Sequence, residues 1–394
     1  MSHRTSSRPG PVQRRRLATA ATVVLLAGGV AACGSDSASE ETDAAPAAGP
    51  RPVELAADWL LANRNADGLL ENTTSYEGKT STMTDVGSSI DLALGLSALD
   101  LEPAEAEAIT DAVEASLADY VGSGGERYAG PTAKALRLVV DQDRDPRAFG
   151  GVDLQARVEQ AVVRRGAAAG RLRDRSEYGD YANSIGQGYA AAALTELDSP
   201  RADQVTDFLL LQQCDEGFFR LAFSEPDARD QSCGAGDAAA ADEAPDTTAL
   251  VAVQLASVAE AAEESGSPDP DVQEALDDVA AWLLAQQAAD GSFADPQNGT
   301  NANTTGLAGW ALHLLGEDEA AARAAAWLRG VQVGQEQTED GELAEETGAI
   351  AYDESSLAQA RRHGLSDPLD RSPWVGAGVQ AFPALAAADE DGNG

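Results

Sequence analysis

Lysine is nearly missing from this chain: among its 27 basic residues only Lys79 and Lys134 are lysines, and they stand against 66 acidic residues. So large an acidic excess repels polyphosphate and anionic lipid, which excludes nucleic acid as a partner and excludes the folded surface as a membrane-binding face. Histidine and cysteine are scarce as well, three of each. Beyond the N-terminal region only His313, His363, Cys214 and Cys233 remain, too few for a familiar zinc set, so no metal or other cofactor is expected. The sequence also lacks a serine nucleophile elbow, a glycine-rich phosphate loop and a His/Ser/Asp arrangement. Its N-terminal apolar run, Leu17 to Val30, is too short to cross a bilayer as a helix.

That run follows Arg14-Arg15-Arg16 and ends in Val30-Ala31-Ala32-Cys33. A basic segment, a short apolar segment and small residues before a cysteine read as an export signal over residues 1–32. The cysteine after small residues resembles the bacterial lipoprotein site, which implies that Cys33 is lipidated and becomes the first residue of the mature chain. An ordinary secretory signal would leave Cys33 as a free thiol. Export through the general secretory or the twin-arginine route stays open, since Arg14-Arg15-Arg16-Leu17 suits both. Residues 33–52 are Ser-, Ala-, Asp-, Glu- and Pro-rich and read as a disordered tether. Removal of residues 1–32 leaves 22 basic against 66 acidic residues, a net charge of −44. The expected location is therefore the extracytoplasmic face of the cell membrane, with the lipid as the only membrane contact.

What the sequence has is a repeated phrase. Trp282-Leu283-Leu284, Gln287, Asp290-Gly291 and Phe293 echo Phe208-Leu209-Leu210, Gln213, Glu216-Gly217 and Phe219, and Trp59 to Gly68 keeps the same spacing. A fourth copy starts at Trp327-Leu328 and continues, after an insertion, through Gln337, Gly341 and Leu343. Repetition of a helix-to-loop phrase means a repeated building block. Six helix pairs fit residues 53–387: Glu54–Asn63 with Asp85–Leu99, Ala104–Val121 with Pro131–Val140, and Leu154–Ala169 with Asn183–Leu197. Asp203–Gln213 then pairs with Asp246–Ala259, Val272–Gln287 with Thr304–Leu315, and Glu319–Val331 with Trp374–Ala387. The first helix of each pair is amphipathic and is expected to end at the glycine, which takes the left-handed conformation that closes a helix. The second opens at a capping Ser, Thr, Asn or Asp and is small and apolar all round, so it belongs to an inner ring. The expected fold is all-α, an α/α toroid of six helix pairs, followed by an acidic disordered tail at 388–394.

The Gln-x3-Gly-x-aromatic phrase resembles the QW repeat of the terpene cyclase and protein prenyltransferase superfamily, which implies the toroid over residues 53–387. It does not carry the chemistry with it. The DxDD acid of the hopene cyclases has no counterpart in Glu243-Ala244-Pro245-Asp246-Thr247-Thr248-Ala249, where Asp246 reads as a helix cap. The Asp, Cys and His zinc ligands of the prenyltransferases and the Gly-Cys-Gly-Glu-Gln thioester run are also missing. Cys214 and Cys233, 19 apart in one loop, are expected to pair in an oxidising compartment.

The candidate ligand site is the ring of inner-helix N-termini at Asp85, Asn183, Asp246, Asn303 and Trp374, together with the polar, aromatic stretch Tyr178, Asp180 and Tyr181. Two functions fit. The first is a non-catalytic, monomeric surface protein that binds a small molecule, glycan or protein. The alternative is an envelope enzyme of toroid type, a polysaccharide lyase or hydrolase or a terpene-cyclase-like enzyme, with carboxylates and tyrosines as acid and base.

Overall fold

The computed structural model describes residues 50–234, 245–334 and 341–388. The expected signal peptide, Cys33, nearly all of the tether, Gln337 and the acidic tail beyond residue 388 lie outside these ranges. The chain begins with α1 (Pro52–Ala62), α2 (Val86–Ala98), α3 (Pro103–Tyr120), α4 (Ala129–Asp141), α5 (Leu154–Ala161), α6 (Ser184–Glu196) and α7 (Ala202–Leu210). It continues with α8 (Pro245–Glu264), α9 (Pro270–Gln286), α10 (Ala302–Leu314), α11 (Asp318–Val331), α12 (Glu354–His363), α13 (Pro368–Ala381) and a 3-10 segment, Phe382–Ala388.

Helices α2, α4, α6, α8, α10 and α13 contact one another in that order, and α13 returns to α2, closing an inner ring. Their small residues have a steric reason. A Cβ added to Gly186 in α6 would lie 2.7 Å from the Gly130 Cα of α4, and one added to Gly306 in α10 would lie 2.3 Å from the Ala381 Cα of α13. Such separations admit no side chain. Around this ring α3 packs on α2, α5 on α4, α7 on α6, α9 on α8 and α11 on α10, while α1 packs on the 3-10 segment. Each outer helix thus lies on the inner helix before it, one step out of phase with the pairs expected from sequence. Connection length decides this for four of the five, because a turn of three to five residues makes antiparallel neighbours; the twelve residues from α4 to α5 are the exception. The result is an α/α toroid.

Inner helices leave the ring through one repeated turn. Asp100 (φ 51°), Asp143 (51°), Asp198 (49°), Gly266 (73°) and Gly316 (78°) hold the left-handed conformation just past α2, α4, α6, α8 and α10. The following N–H groups, of Leu101, Arg144, Ser199, Ser267 and Glu317, donate to the carbonyls of Leu96, Val139, Leu194, Ala262 and Leu312, each at 2.9 Å. This is the Schellman closure, which satisfies carbonyls left open at a helix end.

The repeated phrase has a different role from the one expected. Its glycines are not helix caps: α1, α7 and α9 end earlier, at Ala62, Leu210 and Gln286. Gly68, Gly217 and Gly291 instead end four-residue turns, donating to the carbonyls of Asn65 (3.0 Å), Cys214 (2.8 Å) and Ala288 (2.9 Å). There they meet the next outer helix. A Cβ at Gly217 would lie 2.6 Å from the Asp278 carbonyl oxygen, and one at Gly291 would lie 2.3 Å from that of Arg323. The glutamine joins the two segments. Gln213 Nε2 donates to the carbonyls of Gly217 (3.1 Å) and Ala275 (2.9 Å), and Gln287 Nε2 to those of Gly291 (3.1 Å) and Ala320 (2.8 Å).

The ring closes with the same device. The expected fourth copy at Gln337-Gly341-Leu343 is corrected to Gln332, Gly348 and Ile350: Gln332 Nε2 donates to the Gly348 carbonyl (3.2 Å) and to that of Pro52 (2.8 Å) at the head of α1. A Cβ at Gly348 would lie 1.9 Å from the Leu55 carbonyl oxygen. Beside this seam the buried Glu346 carboxylate accepts from the Trp59 indole N–H (2.8 Å) and pairs with Arg371. The 12-residue insertion after Val333 hid this copy, because the spacing from glutamine to glycine grows from 4 to 16 while the contacts do not change.

Three further corrections concern the connections. The third outer helix does not reach Ala169: α5 stops at Ala161 and the chain folds back through a bridge between Val162 and Leu172, with Gly166 at φ 88° in the turn. The first connection carries an antiparallel hairpin, β1 (Glu71–Tyr76) with β2 (Lys79–Thr84), turning at Glu77-Gly78 where both φ angles are positive, as a two-residue hairpin turn demands. A smaller pair, β3 (Ala294–Asp295) with β4 (Gly299–Thr300), lies in the fifth. The last inner helix begins at Pro368, not near Trp374, because Asp367 caps the Leu369 N–H (2.9 Å) and Pro373 is accommodated within the helix. Cys214 and Cys233 form the expected disulfide, with a Cα separation of 5.0 Å.

Candidate functional site

The longest connections, those before α2, α6, α8 and α13, reach the ring at the N-terminal ends of the inner helices, while the turns after α2, α6, α8 and α10 leave it at the C-terminal ends in three to five residues. Free N–H groups at the first ends are satisfied by side chains. Asp85 Oδ1 accepts from the Ser88 N–H (2.9 Å) and its Oδ2 from the Ser88 hydroxyl (2.9 Å); Asn183 Oδ1 accepts from the Gly186 N–H (3.0 Å). For α10 the cap is Asn301, whose Oδ1 accepts from the Thr304 N–H (2.9 Å). Asn303, expected to be that cap, sits instead in the first turn, where it is released for another role.

That role is to line a cavity of 330 Å³ between β1, α2, α10 and α13, whose polar wall holds Glu71, Asp85, Ser88, Asn303, Tyr352 and Ser372. The wall is firmly built. The Ser372 hydroxyl accepts from the Thr73 N–H (2.6 Å), tying the hairpin to α13, and the Tyr352 carbonyl accepts from the Ala302 N–H (2.7 Å), tying the sixth connection to α10. Three buried oxygens lie on α8 and α10, Asp246 Oδ1, Asn303 Oδ1 and Thr304 Oγ1; none makes a close hydrogen bond among the described residues, although the Thr304 hydroxyl stands near enough to the Asp246 carboxyl to stabilise its charge. Thr304 is completely buried. A buried acceptor without a partner costs about 1 to 3 kcal/mol, so Asn303 Oδ1, the one of the three whose residue lines the cavity, marks a site that ligand or water completes.

The electrostatics agree. Burial pushes the Asp246 carboxyl above the usual aspartate range, the neighbouring Thr304 hydroxyl offsets part of the effect, and the Asp295 charge adds to it. Burial likewise raises the Tyr352 phenol, and the charges of Asp295, Asp246 and Asp353 raise it further. Asp295, 8% exposed, is held by the N–H groups of Gln297 (3.0 Å) and Asn298 (2.7 Å). The end of the ring around α8 and α10 therefore brings the Asp246 and Asp295 carboxyls close enough to act on each other.

Of the residues singled out from sequence, Asp85 and Asn303 line the cavity, with Asp246 beside them through Thr304 and Tyr352. The others are placed elsewhere. Asn183 caps α6 outside the cavity lining. Tyr178 and Tyr181 are 69% and 72% exposed on the third connection. Asp180 pairs with the buried Arg171 (2.9 Å) and accepts from the Asp174 and Ala182 N–H groups, a loop-forming role. Trp374 is 3% exposed and lines a separate 170 Å³ cleft against α12. Sequence reasoning missed Glu71, Ser372, Thr304 and Tyr352. The Glu77-Gly78 turn between threonine-rich segments was the signal for the first, and the two residues after Gly348-Ala349-Ile350-Ala351 were the signal for Tyr352 and its neighbour Asp353.

Two other features carry no such orphan atoms. A larger groove, 460 Å³, lies at the opposite end among α8, α9 and the turn after α10, with Glu260, Glu263, Asp277 and Glu317 around Leu276 and Leu284. Inside the ring Asp91 of α2 accepts from Tyr189 of α6 (3.2 Å) and pairs with Lys134 of α4 (2.7 Å), so one of the two lysines fastens three inner helices. Burial and the Asp91 charge push the Tyr189 phenol up, keeping it a neutral donor. Among the described residues no group of His, Cys, Asp and Glu is placed to hold a metal ion, and no helix is long and apolar enough to cross a membrane.

No protein-family model and no curated protein matches the chain. Solved structures do. An α-1,6-mannanase from Salegentibacter superposes with a TM-score of 0.56 at 10% identity, over 85% of this chain and 98% of that one. A protein from Actinoplanes gives 0.55 at 14%, over 86% and 98%. The type II terpene cyclase MstE from Scytonema, in complex with its product merosterolic acid A, gives 0.53 at 15%, over 86% and 96%. At these identities the likeness is one of fold: this chain has the α/α toroid that terpene cyclases and a glycoside hydrolase also use.

Proposed function

We propose that this protein is an exported, lipid-anchored toroid that binds a small polar ligand at the N-terminal end of its inner ring, without transforming it. The observation that carries the reading is the 330 Å³ cavity with the orphaned Asn303 Oδ1 in its wall and two more orphaned oxygens beside it. Its carboxylates, hydroxyls and amide suit a hydroxylated or charged molecule better than a hydrocarbon. The basic n-region, the short apolar run and Val30-Ala31-Ala32-Cys33 support the anchor, and an acidic domain repelled by anionic lipid needs one.

The test is native mass spectrometry of residues 50–394 after incubation with an extract of the producing organism's envelope. A mass increment that disappears on denaturation, and is lost in Asn303→Leu, is the expected result. The bare mass at every extract concentration would remove the reading. Anchoring is tested separately by intact mass of the native protein, since Cys33→Ser should abolish a diacylglyceryl increment.

One observation favours a second reading, acid catalysis. Burial raises the Asp246 carboxyl above the usual aspartate range, the direction in which a general acid is tuned. Turnover of an envelope glycan or polyprenoid that vanishes in Asp246→Asn, with binding retained, would establish it.

A further inference from the structure

We infer that the cavity selects ligands carrying a primary ammonium group, an inference that rests on the binding reading above and narrows it. The residues lining the cavity include Glu71 and Asp85 and no lysine, arginine or histidine. The nearest candidate on α13, Arg371, is committed elsewhere: its guanidinium pairs with Glu346, donates to Asn63 Oδ1 (3.0 Å) and donates to the Leu365 carbonyl (3.0 Å). The lining also carries the amide of Asn72 and the hydroxyls of Thr73, Thr74, Ser88, Tyr352 and Ser372, but no cationic side chain in it faces the Glu71 and Asp85 carboxylates.

The orphaned atoms sharpen the preference. Asn303 Oδ1 and Asp246 Oδ1 are acceptor oxygens, and with the Thr304 hydroxyl they sit in the first turns of adjacent inner helices. A neutral hydroxylated ligand brings about one donor per oxygen, whereas an ammonium group brings three donors and a charge. Charge-assisted hydrogen bonds are roughly twice as strong as neutral ones. An ammonium group at this wall can meet Asn303 Oδ1 and the Glu71 and Asp85 carboxylates, whose residues all line the cavity. The wall beside it formed by Pro373, Val375 and Ala377 accommodates the ligand's carbon skeleton. The geometry fits a compact aliphatic amine or an amino sugar.

The discriminating experiment is titration calorimetry of residues 50–394 with 1,4-diaminobutane and with its neutral analogue 1,4-butanediol. The diamine should bind saturably, at least about tenfold more tightly than the diol, and more weakly as salt is added. Asn303→Leu should weaken the diamine about tenfold without lowering the melting temperature, because it removes a buried polar atom that has no partner. Thr304→Val should act in the same direction and less strongly. Equal affinity for diol and diamine, no saturable diamine binding, or binding indifferent to Asn303→Leu would each overturn the inference. An envelope adduct that contains no amine would overturn it while leaving the binding reading intact; no adduct and no diamine binding would remove both.

Discussion

The two ends of the ring solve opposite problems with the same helices. At the end where inner helices finish, five turns repeat one closure, with a left-handed Asp or Gly and a 2.9 Å hydrogen bond back to the helix. At the other end five of the six connections, all but that before α4, share the Gly-x-apolar step onto the next outer helix, and otherwise they diverge into a hairpin, a disulfide loop, a two-residue ladder and the extra helix α12. The first end is built for closure, and among the described residues its turns hold no buried side-chain polar atom without a partner. The second accumulates buried oxygens without partners. Repetition stabilises a ring, and departure from repetition makes a site; here the departures concentrate where α2, α10 and α13 meet the hairpin.

Substitutions at the two ends should therefore differ in kind. The largest effect is expected at the seam. Gly348→Ala puts a Cβ against the Leu55 carbonyl at a φ of 93° and should cost about 4 kcal/mol in chemical denaturation, from strain and forced separation of α1. A loss below about 1 kcal/mol would mean the ring is not closed through this contact. Next, replacing Cys214 and Cys233 by serine should cost roughly 3 kcal/mol on chain-entropy grounds, with hydrogen exchange rising in residues 211–234 and not in the short turns. Asp143→Gly at the opposite end should stabilise by about 1 kcal/mol, since glycine holds the left-handed conformation without strain; destabilisation would show that the Asp side chain, and not the turn, matters there.

The smallest effect depends on pH. The folded Asp246 carboxyl titrates above its unfolded value, so the folded state holds the proton longer than the unfolded one. Ionisation then opposes folding, and the penalty grows as pH rises from the unfolded value of about 3.9 through the raised folded one. Asp246→Asn should raise the melting temperature at neutral pH, and the difference should close as pH falls below the ordinary aspartate range. A difference independent of pH would place the carboxyl in a solvated setting.

The ring was legible in sequence because its construction is local. Trp282 to Gly291 and Phe208 to Gly217 write the same contact twice, and runs such as Ala190 to Leu194 leave no face for water. What the glycine touches was not legible, because the Arg323 and Asp278 carbonyls lie in the next repeat. The site was read in part. Asp85 and Asn303 were found as residues at helix starts, though Asn303 matters because Asn301 takes the cap. Tyr352 and Ser372 were missed because they come from the last connection and the last helix, which the closure of the ring, and no local pattern, brings beside the first hairpin. Tyr178 and Tyr181 show the converse error: aromatic residues near an inner helix that the turn at Gly179 leaves facing solvent.

The central claim, that function resides at the end of the ring bearing the long connections, is tested most directly by hydrogen–deuterium exchange with and without the small-molecule fraction of an envelope extract. Slowed exchange in residues 71–88, 301–305 and 350–353, with the short turns unchanged, is the result this account expects. Protection confined to residues 256–284, around the groove at the opposite end, would contradict it.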